Sequence, residues 1–226
     1  MAKLRLAIAN KNYSSWSMRP WVVLAQAGIS FEEIPLRFGA DATGNLVVGG
    51  IEAYSSARTV PVLLIDADPV WDSLAICETL AEMFPEKRLW PADARARQVA
   101  RAVCAEMHSG FRALRSAMPM NIRASLPGKG MSPEVQKDID RIVAIWTSCR
   151  ARFGAGGELL FGQFSIADAY FAPVTMRFRT HWVKLPVEAE RYAAAVRALP
   201  GVKKWMEAAS LDSEFVPADE PYQTAP

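Results

Sequence analysis

Asn10-Lys11-Asn12-Tyr13-Ser14-Ser15-Trp16-Ser17-Met18-Arg19-Pro20 places three serine hydroxyls where a strand pattern gives way to a helix pattern. Upstream, Leu4, Leu6 and Ile8 alternate with Lys3, Arg5 and Ala7, the period-two signature of a strand with one buried face. Downstream, Trp21, Leu24, Ala25 and Ile29 recur at helical spacing, and Gly28 reads as a stop. A helix starting here aims free amides and the positive end of its dipole at whatever the hydroxyls hold, which suits an anion such as a thiolate. Taken alone, the loop reads as an N-cap, because a serine oxygen there satisfies an orphan amide. Three hydroxyls exceed the need of one cap.

Working outward, residues 1–84 mix strand and helix signals. Phe31–Leu36 reads as a second short strand, Gly39–Gly50 as a polar, Gly-rich loop, and Val60-Pro61-Val62-Leu63-Leu64-Ile65 as a β-branched strand. Asp66-Ala67-Asp68-Pro69 is a turn, with Val70-Trp71 as the return strand of a hairpin. Asp72 is placed to cap a helix that carries Leu74, Cys77, Leu80, Ala81 and Phe84 at helical spacing. Pro85–Pro91 is a linker, and everything beyond it reads as helix. Residues from Asp93 to about Met118 predict one long helix, and a second, opened by Ser132-Pro133-Glu134, reaches about Phe153. A third opens at Ser165-Ile166-Ala167-Asp168, and shorter ones lie near Val187–Leu199 and Val202–Ala209, ahead of a Pro-rich tail. A small α/β domain (1–84) followed by a larger helical one (92–226) is the expected architecture.

The 226 residues are 51% apolar and 22% charged with a net charge of +2, a globular balance without a basic, aromatic-laced stripe for nucleic acid. No apolar run approaches the ~20 residues of a membrane span, and the first residues lack a signal-peptide pattern, so a soluble, cytoplasmic protein is expected. Cys77, Cys104 and Cys149 lack CxxC spacing and sit among apolar neighbours, as buried hydrophobes do. His108 and His181 are far apart, with no ligand cluster, so no metal is expected. Gly-x-Ser-x-Gly, GxGxxG and Walker A patterns are absent.

Three further features are ambiguous singly. Val60-Pro61 is either a trans proline at a strand start or a cis bond that turns the Val60 backbone toward a ligand. Asp72-Ser73 is a plain cap or a site for an amino-acid carboxylate. Ser165-x-x-Asp168 is a capping box with Asp in place of Glu. Their order and spacing, taken with the serine loop and the linker near residue 85, make the whole chain resemble the glutathione S-transferases. Ser14-Ser15-Trp16-Ser17-Met18-Arg19 looks most like the zeta-class run Ser-Ser-Cys-Ser-Trp-Arg, with Trp16 standing where zeta has cysteine. The zeta register selects Ser14 as the activating hydroxyl, and the looser theta and delta register selects Ser15; both are expected site residues, with Ser14 preferred as the activator.

The resemblance implies a thioredoxin-like, glutathione-binding N-terminal domain and a helical C-terminal domain with the electrophile pocket. By that analogy Ser14, Ser15, Trp16, Val60, Pro61, Asp72 and Ser73 hold glutathione. Val60 would pair its backbone with the cysteinyl part, Pro61 would be cis, and Asp72 and Ser73 would meet the γ-glutamyl ammonium and carboxylate. Ser165 and Asp168 would serve folding, and Arg19 would brace the loop through a salt bridge. A free alkyl thiol has a pKa of about 8.5, and a serine is too weak a base to ionise it. Its hydroxyl can instead donate to the sulfur anion; with the helix dipole, a lowering of one to two units is expected, about 1.4–2.7 kcal/mol. Tyr13 is an alternative donor. Met107, His108, Phe111, Arg112 and Arg115 are candidates for the electrophile pocket, Arg112 being preferred. The implied function is conjugation of small hydrophobic electrophiles, a detoxification chemistry carried out by a homodimer with glutathione as co-substrate. The alternatives are glutathione-dependent isomerisation of a maleyl-type acid and a non-catalytic binding module.

Overall fold

The computed structural model describes residues 2–41 and 46–223. Strand β1 (Leu4–Ile8) runs into helix α1 (Ser15–Ala27), which returns to β2 (Glu32–Pro35) parallel to β1. Gly28, in the left-handed region at φ 66°, ends α1, and the Ile29 amide closes back on the Leu24 carbonyl. Next come β3 (Arg37–Ala40), β4 (Leu46–Gly49), β5 (Val62–Ile65) and β6 (Asp68–Val70), then α2 (Ser73–Met83). The main sheet has the order β2-β1-β5-β6, with β5 antiparallel to β1 and to β6.

Strand alternation assigns the two faces. Leu6 pairs with Leu63, and both pack with Met18, Val22, Ile76 and Leu80 of α1 and α2. Ala7 pairs with Val62, and these face the opposite side with Leu64, Val48 and Ile51. That second cluster explains a difference from the sequence pattern: Gly39–Gly50, which reads as loop, holds the end of β3 and all of β4, two strands paired Phe38 with Val48. Its strands gain stability by covering the sheet and have little alternation of their own. Residues 42–45 of that expected loop lie outside the described residues.

The helical part comprises α3 (Ala94–Ser109), α4 (Arg112–Ala117), α5 (Pro133–Phe153), α6 (Ile166–Thr180), α7 (Val187–Ala198) and α8 (Pro200–Ser210). The single helix expected from Asp93 to Met118 is broken at Gly110. A Cβ there would lie 2.8 Å from the Glu106 carbonyl oxygen, and Phe111 follows at φ 58° with its ring in the core. Helix α6 is buried along almost its whole length. Its start is fixed by the capping box: Asp168 accepts from the Ser165 amide at 2.9 Å and also takes the Leu160 amide at 3.1 Å. Helices α6 and α8 both pack on α1, and Trp205 of α8 donates to the Lys11 carbonyl. The Pro-rich tail folds back over the β1–α1 loop: Arg37 pairs with Glu214 at 2.9 Å, and Tyr13 donates to Glu220 at 2.6 Å. Among the described residues no helix is long and apolar enough to cross a membrane.

Candidate functional site

A cleft of about 540 Å³ opens between the N-terminal end of α1 and the helical part of the chain. The β1–α1 loop brings Tyr13, Ser14, Ser15 and Trp16 to it, and the approach to β5 brings Val60 and Pro61, joined by a cis peptide bond. The start of α2 adds Asp72 and Ser73. All seven residues assigned to glutathione from the sequence therefore line one cavity, although they come from three separate stretches. Phe38, Leu46, Val47 and Val48 of the hairpin form an apolar wall; α3 and α4 contribute His108 and Arg115.

Ser14 occupies the N-cap position of α1 yet makes no side-chain cap. Its hydroxyl donates to Ser17 Oγ at 2.7 Å, and Ser17 Oγ accepts from the Ala9 amide at 3.3 Å. Ser15 is placed differently: its oxygen accepts from Arg177 Nη2 at 3.1 Å, which leaves its own proton free. Arg177 also donates to the carbonyls of Arg115 (3.3 Å) and Met118. Burial pushes its guanidinium down to about 9, with nearby Arg19 and Arg115 adding to the fall and Asp219 opposing it.

At the start of α2, Asp72 Oδ1 caps the Leu74 amide at 2.9 Å, while Oδ2 meets His108 Nε2 at 3.0 Å. Ser73, fully buried, shares a hydrogen bond of 3.1 Å with the Tyr170 hydroxyl of α6. Arg19 makes no ion pair among the described residues, against expectation. It is buried between the rings of Trp16 and Tyr170, at 4.1 and 4.7 Å from their centroids, and burial pushes its guanidinium down to about 10. Arg115 lies 4.6 Å from the Trp16 centroid, and the His108 ring meets the same indole edge-on at 5.2 Å.

The residues expected around the electrophile divide. His108 and Arg115 line the cleft. Met107 and Phe111 are buried in the core, and Arg112, the preferred member, is exposed and outside the cavity. The break at Gly110 is the cause: it restarts the helix, so Arg115 faces the cavity in place of Arg112. Tyr13 is held by the tail and by Arg123 Nη2 at 3.1 Å, and its phenol is pushed up by burial and by Glu220. Arg177 and Asp219 were not foreseen. Asp219 reaches the cleft on the turn Pro217–Asp219, and burial raises its carboxyl to about 6 against the lowering effect of Arg177. A charged residue within the apolar run of α6 was the available signal for Arg177; Asp219 gave none.

The three cysteine thiols are buried outside the cleft, and burial pushes each above its usual value. Among the described residues no group of three or more His, Cys, Asp or Glu side chains could hold a metal ion.

Two family models match the sequence: "Glutathione S-transferase, N-terminal domain" over residues 13–83 and "Glutathione S-transferase, C-terminal domain" over residues 92–208. Maleylacetoacetate isomerase of Rattus norvegicus is 29% identical over 164 residues, covering 71% of this chain and 72% of the rat protein. The Mus musculus protein of the same name is 33% identical over 103 residues, 46% of this chain and 47% of its own length. Among solved structures, a glutathione transferase homolog from Burkholderia GL BGR1, with bound glutathione, superposes with a TM-score of 0.68 at 23% identity, covering 92% of this chain and 98% of its own. Glutathione transferase Omega 2S from Trametes versicolor gives a TM-score of 0.71 at 16% identity, covering 97% and 99%. At these identities the structures establish the fold.

Proposed function

Because the chain belongs to the glutathione S-transferase family, with a thioredoxin-like N-terminal domain and a helical C-terminal domain, we propose that it binds glutathione in the cleft and uses the Ser15 hydroxyl to hold the thiol as thiolate for attack on small electrophiles. We place the domain division at residues 85–91. The observation that carries the reading is the convergence of Ser15, Val60, Asp72 and Ser73 on one cavity. Each offers the chemistry that one part of the tripeptide needs. The Val60 backbone suits an extended strand, Asp72 the ammonium, Ser73 and the α2 amides the carboxylate, and Ser15 the sulfur.

Ser15 is the better activator of the pair. Ser14 spends its proton on Ser17, whereas Ser15 accepts from a donor-only guanidinium and keeps its proton for the sulfur. A hydrogen bond to the charged form lowers the thiol pKa, and the N-terminal end of α1 adds to it. The bound thiolate is then positioned against an electrophile lying on Trp16, Phe38 and Val47, a gain from proximity. The family relationship also supports a homodimer and a cytoplasmic location. Conjugation of a generic aryl halide, together with calorimetric glutathione binding, tests the reading on wild type, Ser14→Ala and Ser15→Ala. A wild type that neither binds glutathione nor conjugates overturns it.

A second reading has its own support. Arg115 and Arg177 give the cleft two guanidiniums suited to carboxylates, and the rat and mouse relatives are named maleylacetoacetate isomerases. Here the thiolate would add to the cis double bond of a maleyl-type acid and leave again after rotation, with no net conjugation. Turnover of maleylacetoacetate without aryl conjugation selects this reading.

A further inference from the structure

We infer that helix α6 directs the hydroxyl protons of both ligand-facing serines into the cleft, Tyr170 acting behind Ser73 and Arg177 behind Ser15. This rests on the glutathione site proposed above and assigns two positioning residues to it.

Tyr170 and Arg177 are seven residues apart on α6, two helical turns, so they project from the same face. Both are buried, and each reaches the other half of the chain to touch a single serine oxygen, at 3.1 Å in each case. A guanidinium has donors only, so the Ser15 oxygen must accept and its proton must go elsewhere. A phenol can donate or accept. The 3.1 Å contact permits either oxygen to donate; the proton is assigned to the phenol, whose acidity the Arg19 guanidinium 4.7 Å from the ring centroid raises, so that the Ser73 oxygen accepts. A hydroxyl that accepts a hydrogen bond is polarised into a better donor. Both serines thereby present protons to the ligand, and both backing groups ride on one buried helix pinned by Asp168.

The two contacts serve different parts of the ligand. Ser73 faces the carboxylate, which is equally charged in ground and transition states, so Tyr170 acts on binding. Ser15 faces the sulfur, whose ionisation is the activation step, so Arg177 acts on the fraction of thiolate. The ionisable groups that act on Arg177 are Arg19 of α1, Arg115 of α4 and Asp219 of the tail.

The test titrates the ultraviolet thiolate absorbance of bound glutathione and measures glutathione and S-methylglutathione affinity in the full-length protein. Tyr170→Phe is expected to weaken both ligands about fivefold to tenfold, the loss of one hydrogen bond, with the thiolate midpoint unmoved. Arg177→Met should raise the midpoint by about one unit, a loss of thiolate of about threefold to eightfold at neutral pH for a wild-type midpoint one to two units below about 8.5, with S-methylglutathione affinity within about twofold of wild type. Arg177→Lys retains a cationic donor and should fall between, which serves if the methionine variant folds poorly. In a Ser15→Ala background, Arg177→Met should add no further shift. An equal shift with and without the Ser15 hydroxyl overturns the inference, since Arg177 would then act directly through its charge. So does an unchanged affinity in Tyr170→Phe, or an unchanged midpoint in Arg177→Met, while wild type binds and ionises glutathione. Wild type that does neither removes the proposed function itself, and this inference with it.

Discussion

Asp72 and His108 meet at 3.0 Å across the two halves of the chain, while the other oxygen of the same carboxylate caps α2. One side chain thus holds a helix start and offers a negative charge to the cleft. Asp72→Asn separates the two tasks, because asparagine caps about as well as aspartate. Glutathione affinity should fall about tenfold with the charge, the scale of one charge-assisted hydrogen bond, while the thermal midpoint stays near wild type. Calorimetry beside a thermal melt checks this, and a large drop in melting temperature with intact affinity would reverse the assignment.

The serine pair gives the second expectation. Ser15→Ala removes the hydroxyl that accepts from Arg177, and conjugation should fall roughly tenfold to a hundredfold in kcat/KM at neutral pH, equivalent to about 1.4–2.7 kcal/mol. Ser14→Ala loses a contact to Ser17 alone and should cost less than about fivefold. The comparison is decisive at neutral pH and should narrow in alkaline buffer, where the thiol ionises without help.

How far the site could be read from the chain follows from the range of the forces involved. Leu4, Leu6 and Ile8 announce β1 because strand alternation is local, and Ser132-Pro133 and Ser165-x-x-Asp168 announce helix starts because caps are local. The β3–β4 hairpin was hidden because Phe38 and Val48 are apolar in answer to a sheet face formed elsewhere. Arg177 lies 162 residues from Ser15, and Asp219 comes from a tail that looks like loop. Contacts of that length leave no periodic mark, so the choice between Ser14 and Ser15 could not be made from the loop itself. The sequence favours Arg112 over Arg115, both being candidates, for a smaller reason: Gly110 ends one helix and restarts the next, and Arg115 is the one that lines the cleft.

Tyr13 is expected to fasten the tail. Its hydroxyl contacts Glu220 at 2.6 Å, the Glu214 carbonyl at 3.0 Å and Arg123 at 3.1 Å. Tyr13→Phe should cost about 1–3 kcal/mol, the penalty of leaving a buried carboxylate without its donor. Limited proteolysis should then cut first in residues 211–223. If conjugation falls as far as in Ser15→Ala, Tyr13 and not Ser15 is the thiolate donor.

Asp168 should matter to folding alone. Its carboxylate accepts from the Ser165 amide and hydroxyl, the Leu160 amide and the Tyr192 hydroxyl, all buried. Asp168→Ala strands these donors and removes the box that starts α6, for an expected loss of at least about 3 kcal/mol in denaturant unfolding. Glutathione affinity of the fraction that remains folded should change little.

Asp219 supplies a pH test with a definite sign. Its carboxyl, raised to about 6 by burial, is neutral below that value and negative above it, beside the Arg177 cation in the cleft. A carboxylated ligand therefore meets an uncompensated guanidinium at low pH and a partly neutralised one at higher pH. Affinity for S-(1,2-dicarboxyethyl)glutathione, already ionised in this range, should fall severalfold as pH rises through about 6. S-methylglutathione, which lacks the added carboxylates, should show little change. Asp219→Asn fixes the neutral form and should bind the dicarboxylate conjugate more tightly at about pH 7.5 and with a flatter profile from about pH 5.5 to 7.5 than wild type, keeping only what the other cleft groups contribute in roughly that window. A wild-type profile as flat as that of the variant would place the Asp219 charge out of reach of the electrophile side of the cleft.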